Sequence, residues 1–169
     1  MSFEKIIDKL TKYTRKPEGP LGKIVGEKIG EIHEKLAKWG ISKVDIKPED
    51  NILEIGCGSG AFIKKIAKNI KSGKIVGIDY SEAMVELSTE NNKKYIESGK
   101  VEIKLGNVTS LPFSENYFNL SIGIETINFW PDIFNSLREI YRVLKPDGVL
   151  LIINNTYKNR KFRKRNKKW

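Results

Sequence analysis

The chain has 169 residues, 39% apolar and 31% charged, a composition that describes one soluble globular domain long enough to bury a core. No run approaches the roughly 20 apolar residues of a membrane span, residues 1–10 carry no apolar signal region, and the lone cysteine, Cys57, excludes an intrachain disulfide and fits a reducing cytoplasm. The net charge is +10, yet eight basic residues and no acidic one fall within 158–169, so the chain before residue 158 is nearly neutral; the tail reads as a solvated basic end, with phosphate-backbone binding as the alternative.

Residues 1–16 place Phe3, Ile6, Ile7 and Leu10 at the spacing of a short amphipathic helix. Pro17 to Gly22 then breaks the pattern as a hinge. A second helix is predicted over 23–39, with Val25, Ile29, Ile32, Leu36 and Trp39 as its apolar stripe and Gly40 as its end. From residue 51 strands and helices alternate: strands at 51–55, 74–79, 101–105, 118–124 and 149–153, helices at about 60–70, 81–97 and 131–144. Asp50, Ser81 and Asp132 are polar openers, Pro131 suits a first helical turn, and Lys145-Pro146-Asp147-Gly148 is a turn. The link from Asn107 to Asn116 is short and irregular. This alternation implies a doubly wound, mostly parallel α/β sheet with right-handed crossovers. The expected organisation is a helical cap over 1–47, a nucleotide-binding core over 48–157 and a basic tail over 158–169.

In such a sheet ligands bind beyond the carboxyl ends of the strands, at the switch point beside the first strand. There the chain reads Ile52-Leu53-Glu54-Ile55-Gly56-Cys57-Gly58-Ser59-Gly60. A strand, a turn with glycine at alternate positions and a helix start bring bare backbone and unpaired N–H groups against a nucleotide-like ligand. Asp79 ends the second strand, where a carboxylate can accept from both hydroxyls of a ribose; its competing role is to cap the next helix, which Ser81 can serve equally well. Gly56, Gly58 and Ala61 also satisfy the dinucleotide pattern Gly-x-Gly-x-x-Gly/Ala. Glu54 discriminates between the two ligands, because an acid beside the loop holds a cationic amino group and repels a pyrophosphate. That favours S-adenosylmethionine (SAM) over NAD. The competing role for Glu54 is an ordinary strand-end carboxylate bound to a backbone amide.

Five segments in order resemble the class I SAM-dependent methyltransferases, in wording nearest the ubiquinone/menaquinone-biosynthesis branch. They are Glu54-x-Gly56-x-Gly58-x-Gly60; Asp79; Gly106-Asn107-Val108-Thr109-Ser110-Leu111-Pro112-Phe113; Phe118-Asn119-Leu120-Ser121-Ile122-Gly123; and Leu144-Lys145-Pro146-Asp147-Gly148. The resemblance covers about 48 to 153. It implies that Gly56, Cys57, Gly58 and Gly60 pass under the methionine portion of SAM, with Glu54 beside its ammonium. Asp79 then holds the ribose, Tyr80 and Met84 lie against the adenine, Asn107 and Val108 lie at the adenine edge, and Ile124 and Glu125 face the sulfonium. The family usually has Asp at 107; an asparagine carbonyl still accepts from the adenine amino group, without charge assistance.

The resemblance implies methyl transfer to a small organic acceptor and no metal. Glu125 and His33 are the candidate bases should the acceptor lose a proton; His33 borders the apolar stripe and has a structural reading too. Cys57 reads as a packed residue. Phe129 and Trp130 suit an apolar wall for the acceptor. Methylation of a nucleobase amino group is disfavoured by the absence of an Asn/Asp-Pro-Pro-aromatic run after the fourth strand, and cytosine C5 chemistry by the position of the one cysteine. The alternatives are an RNA- or partner-directed methyltransferase that uses the basic tail, and a non-catalytic SAM-binding module. Relatives of this type continue past strand five with further strands, so the resemblance implies a sheet of order 3-2-1-4-5 with strand five at an edge, in a chain that either is shortened or has that edge covered by a partner or second subunit.

Overall fold

The computed structural model describes residues 17–155; the amphipathic stretch 1–16 and the basic tail lie outside the described residues. Five parallel strands form one sheet of order β3-β2-β1-β4-β5: β1 Ile52–Ile55, β2 Ile75–Asp79, β3 Val101–Leu105, β4 Phe118–Ile124 and β5 Leu144–Ile153. The helices are α1 Gly19–Ile41, α2 Ala61–Ile66, α3 Glu82–Glu97 and α4 Ile133–Val143, with a 3₁₀ turn at Ile127–Phe129. Class and strand order agree with the sequence reading.

The central strands are buried throughout because both sheet faces are covered. Alternate residues of β1 feed opposite cores. Ile52 joins Ile63, Ile66, Ile75 and Leu120 beneath α2, whereas Leu53 and Ile55 join Val76, Phe118, Ile140 and Val143 beneath α4. Register sets the level of the site: Ile55 pairs with Ile78 on one side and Gly123 on the other, so β1, β2 and β4 all end within a residue or two of the same line.

Four local expectations are corrected. First, α1 begins at Gly19, inside the expected hinge. Pro20 sits in its first turn, where a missing N–H costs nothing, and the Ser81 hydroxyl donates to the Pro17 carbonyl at 2.6 Å. The helix also runs through Gly40. Its buried face is not the predicted stripe but Gly22, Gly26, Ala37 and Gly40, and Ile32 and Trp39 are exposed. Gly26 lies on the Met84 side chain and Gly40 against Ile153, contacts that a Cβ would block. Second, α2 stops at Ile66 rather than near 70, because the Pro48 carbonyl gathers the N–H groups of Lys71, Ser72 and Gly73 and turns the chain toward β2. Third, Pro131 precedes α4. Asp132 caps that helix by accepting from the Asn135 N–H at 3.0 Å, as Ser81 caps α3 through the Met84 N–H. Fourth, the turn at Lys145–Gly148 is a bulge inside β5, since Leu144 pairs with Phe118 and Val149 with Leu120.

Candidate functional site

A cavity of about 640 Å³ opens at the carboxyl ends of β1, β2 and β4, roofed by α1. Its lining brings together Glu54, the Gly56–Ser59 loop, Asp79, Tyr80, Met84, Asn107, Val108, Ile124, Glu125 and His33. The backbone explains why the loop is glycine. Gly56 and Gly60 both hold φ of 70°, a left-handed conformation that other residues adopt at a cost of about 1–2 kcal/mol. A Cβ at Gly56 would meet the Thr126 methyl at 2.5 Å, and one at Gly60 would run into Ser88 and Asn92. Gly60, however, contributes no surface to the cavity; it turns the chain into α2 and packs on α3.

Glu54 is buried at the end of β1, and its Oε2 has no hydrogen-bond partner among the described residues. The amide-bound reading of this carboxylate therefore fails at that oxygen. Burial, together with the nearby Asp79 charge, pushes its carboxyl well above the ordinary 4.5. A buried acid at the cavity wall with one oxygen unpartnered is suited to a cation. Asp79 is better satisfied: Oδ2 accepts from the Gly58 N–H at 2.9 Å and Oδ1 from the Ser81 N–H at 3.0 Å. Burial raises its carboxyl above 3.8, with the amides of Ser81, Gly58 and Tyr80 pulling the other way. Sequence reasoning missed this part: Asp79 also ties the glycine loop to the turn after β2. Cys57 is packed and protonated, since burial lifts its thiol well above 9.0.

In the segment expected to form the adenine edge, Asn107 Oδ1 already accepts from the Thr109 N–H and hydroxyl, each at 3.1 Å. The carbonyl expected to meet an adenine amino group is thus engaged in its own turn. The segment that follows is held from one face of α4. Asn135 Nδ2 donates to the Thr109 carbonyl at 3.1 Å, the Leu111 N–H donates to Glu139 Oε2 at 2.8 Å, and Arg142 donates to the carbonyls of Phe113 and Leu111 at 2.7 and 2.9 Å. The Arg142 guanidinium holds the Glu139 carboxyl down at about 2. Nothing in the sequence distinguished Asn135, Glu139 or Arg142 from solvated helix residues. Met84 belongs to a small core with Ala83 and Leu87 beneath α1 as well as lining the cavity.

On the opposite side of the cavity mouth, Glu125 follows β4 with φ of 58°. Its Oε2 stands 3.9 Å from His33 Nε2 of α1, so the two candidate bases, far apart in sequence, meet. Phe129 and Trp130 line the wall beside them; Trp130 also belongs to the core beneath α4. Among the described residues no cluster of three or more His, Cys, Asp or Glu side chains is placed to hold a metal, and no helix is long and apolar enough to cross a membrane.

Comparisons agree with this geometry. The chain is 39% identical over 108 residues to YrhH of Bacillus subtilis, a methyltransferase-family protein, covering 64% of this chain and 59% of that one. It is 34% identical over 131 residues to the demethylmenaquinone methyltransferase of Listeria welshimeri, covering 76% and 55%. It thus spans little more than half the length of these relatives. Among solved structures, a SAM-dependent methyltransferase-family protein of Methanococcus maripaludis superposes with a TM-score of 0.66 at 26% identity, over 86% of this chain and 76% of that one. With a glycine loop, an unpartnered acid and a second acid at the strand ends, and with residues 53–152 matching the family described as "Methyltransferase domain", the chain belongs to the class I SAM-dependent methyltransferases.

Proposed function

We propose that this chain transfers a methyl group from SAM to a small, largely apolar organic acceptor, with a hydroquinone like that implied by the name of its Listeria relative as the leading case. The observation that carries the reading is the buried Glu54 carboxylate with an oxygen unpartnered beside the glycine loop. A pyrophosphate would be repelled there; an α-ammonium supplies both the missing donor and the missing positive charge. The residues present fit SAM: Glu54 for the ammonium, the backbone at Gly56 and Gly58 for the methionine portion, Asp79 for the ribose, and Tyr80, Asn107 and Val108 around the adenine.

When bound, SAM supplies an activated methyl group. The protein's part is alignment and exclusion of water. Asp79 fixes the loop through Gly58 before any ligand arrives. The α4 side chains fix the adenine edge. Ile29, Ala37, Phe129 and Pro131 give the rest of the cavity an apolar wall suited to an aromatic or aliphatic acceptor.

Calorimetry with SAM and S-adenosylhomocysteine tests the first half of the reading, and absence of binding at millimolar ligand rejects it. A methyl-release assay over hydroquinones, phenols and amines tests the second. Tight cofactor binding with no release from any acceptor would leave a SAM-binding module in its place.

A further inference from the structure

The exit of β4, expected to face the sulfonium, carries a group of features that holding SAM does not by itself require. Glu125 holds its left-handed backbone conformation despite being no glycine, a strain of the kind stored at functional positions. Its N–H donates to the Ile153 carbonyl at 2.8 Å, and its Oε1 accepts from the Asn155 N–H. These two bonds aim Oε2 toward α1, where His33 Nε2 lies at 3.9 Å, an ion-pair distance rather than a hydrogen bond. Two more polar atoms on cavity-lining residues, the Trp130 indole N–H and the Thr126 hydroxyl, are buried with no hydrogen-bond partner among the described residues. A polar pair such as His33 and Glu125 beside an apolar wall is the signature of a site that orients an oxygen-bearing ligand.

We propose that His33 is the base that takes the proton from an aromatic or enolic hydroxyl of the acceptor, with Glu125 as the positioning residue that holds the resulting imidazolium. The inference rests on the methyltransferase reading and deepens it by naming the acceptor class: a planar apolar molecule with an ionisable hydroxyl. In the step, the acceptor O–H bond breaks, the proton goes to the imidazole, and the electron pair stays on oxygen. The phenolate or enolate so formed is the stronger nucleophile at oxygen or at the adjoining carbon. The imidazolium then stands beside the Glu125 carboxylate. Other charged groups among the described residues lie on the elements around His33. Glu34 of α1 pairs with Lys38 and Lys65, and Glu31 with Lys28. Glu27 of α1 and Lys64 and Lys68 of α2 line the cavity, and Glu54 and Asp79 end β1 and β2.

The probe is 2-naphthol, whose hydroxyl ionises near the range of a tyrosine, about 10, and whose anion has its own absorption and emission. It is titrated into the full chain with S-adenosylhomocysteine at neutral pH. Bound naphthol is expected to show the anion spectrum. His33→Asn should bind it in the neutral form and about tenfold more weakly. Glu125→Gln keeps the acceptor for the Asn155 N–H but loses the charge, and should move anion formation upward by about one pH unit. The methyl ether, which has no proton to give, should bind the wild type and His33→Asn alike. Melting curves and circular dichroism confirm that the variants are folded. A neutral spectrum in the wild type, an anion spectrum that survives His33→Asn, or no naphthol binding while S-adenosylhomocysteine still binds overturns the proposal. Loss of S-adenosylhomocysteine binding itself overturns the methyltransferase reading instead.

Discussion

Replacing Glu54 with Gln should strengthen the protein and weaken its ligand, and the two effects can be sized from the structure. Free of ligand, the protein keeps an acid buried with Oε2 unpartnered and with Asp79 nearby. Leaving a buried polar group unsatisfied costs about 1–3 kcal/mol, more when it is charged. Gln removes the charge but keeps a polar oxygen, so the expected gain is about 1 kcal/mol, a rise of about 2–4 °C in Tm for a chain of this size. The pH dependence follows from the direction of the shift. The folded-state carboxyl is raised above its unfolded value of about 4.5, so its contribution is fully present below that pH and is lost as pH rises toward the folded value. The wild type should therefore lose stability over that interval, and Glu54→Gln should flatten the loss. With SAM the sign reverses: a charge-assisted hydrogen bond to the ammonium is worth about 1.5–3 kcal/mol, so affinity should fall by about tenfold to 150-fold. Thermal melts from pH 4 upward and calorimetry on the same preparations read both effects. A variant that melts lower without ligand and binds SAM as tightly as the wild type would refute the assignment of Glu54.

Three further outcomes follow. Gly60→Ala forces a Cβ into the left-handed turn and against Ser88 and Asn92; it should cost about 3 kcal/mol, read as a drop in urea midpoint. Glu139→Gln should cost about 1 kcal/mol at neutral pH, discounted for its partial exposure. Because Arg142 holds that carboxyl at about 2, the wild-type contribution is present above 4.5 and lost as pH falls toward 2, so the two proteins should converge in acid. Asn107→Asp keeps the bonds to Thr109 and offers adenine a charged acceptor; SAM affinity should rise about threefold to tenfold, and an unchanged value would remove residue 107 from the adenine contact.

What was legible in the sequence was whatever local chemistry dictates. The strand–glycine–helix unit and the caps at Ser81 and Asp132 are short-range signals, and the sheet order came with the family resemblance. The face of α1 was not legible. The apolar stripe containing Ile32 and Trp39 reads as the buried side, yet the helix docks through glycines because Met84 and Ile153 occupy the space that side chains would need. Packing partners remote in sequence decided that, and periodicity does not contain them. The same holds at the site. Glu54 was recognisable from its spacing to Gly56, and its missing partner was not. The pairing of His33 with Glu125 and the hold of Asn135, Glu139 and Arg142 on the backbone of Thr109, Leu111 and Phe113 arise where α1 and α4 cross loops far away in the chain.

The contact of Gly40 with Ile153 bears on biosynthesis. The helix that roofs the cavity is among the first parts of the described chain to leave the ribosome, and the strand end that seats it is among the last. Until β5 has emerged, α1 rests only on α2, α3 and the glycine loop, and Glu125 lacks the Ile153 carbonyl and the Asn155 N–H that aim it. A nascent chain arrested before residue 153 therefore holds most of the glycine loop's surroundings with the Gly40 end of its cover unseated, and such long-range closure is slow to form. Competence to enclose a ligand should arrive abruptly, with the last few residues of β5, rather than grow as the sheet is laid down.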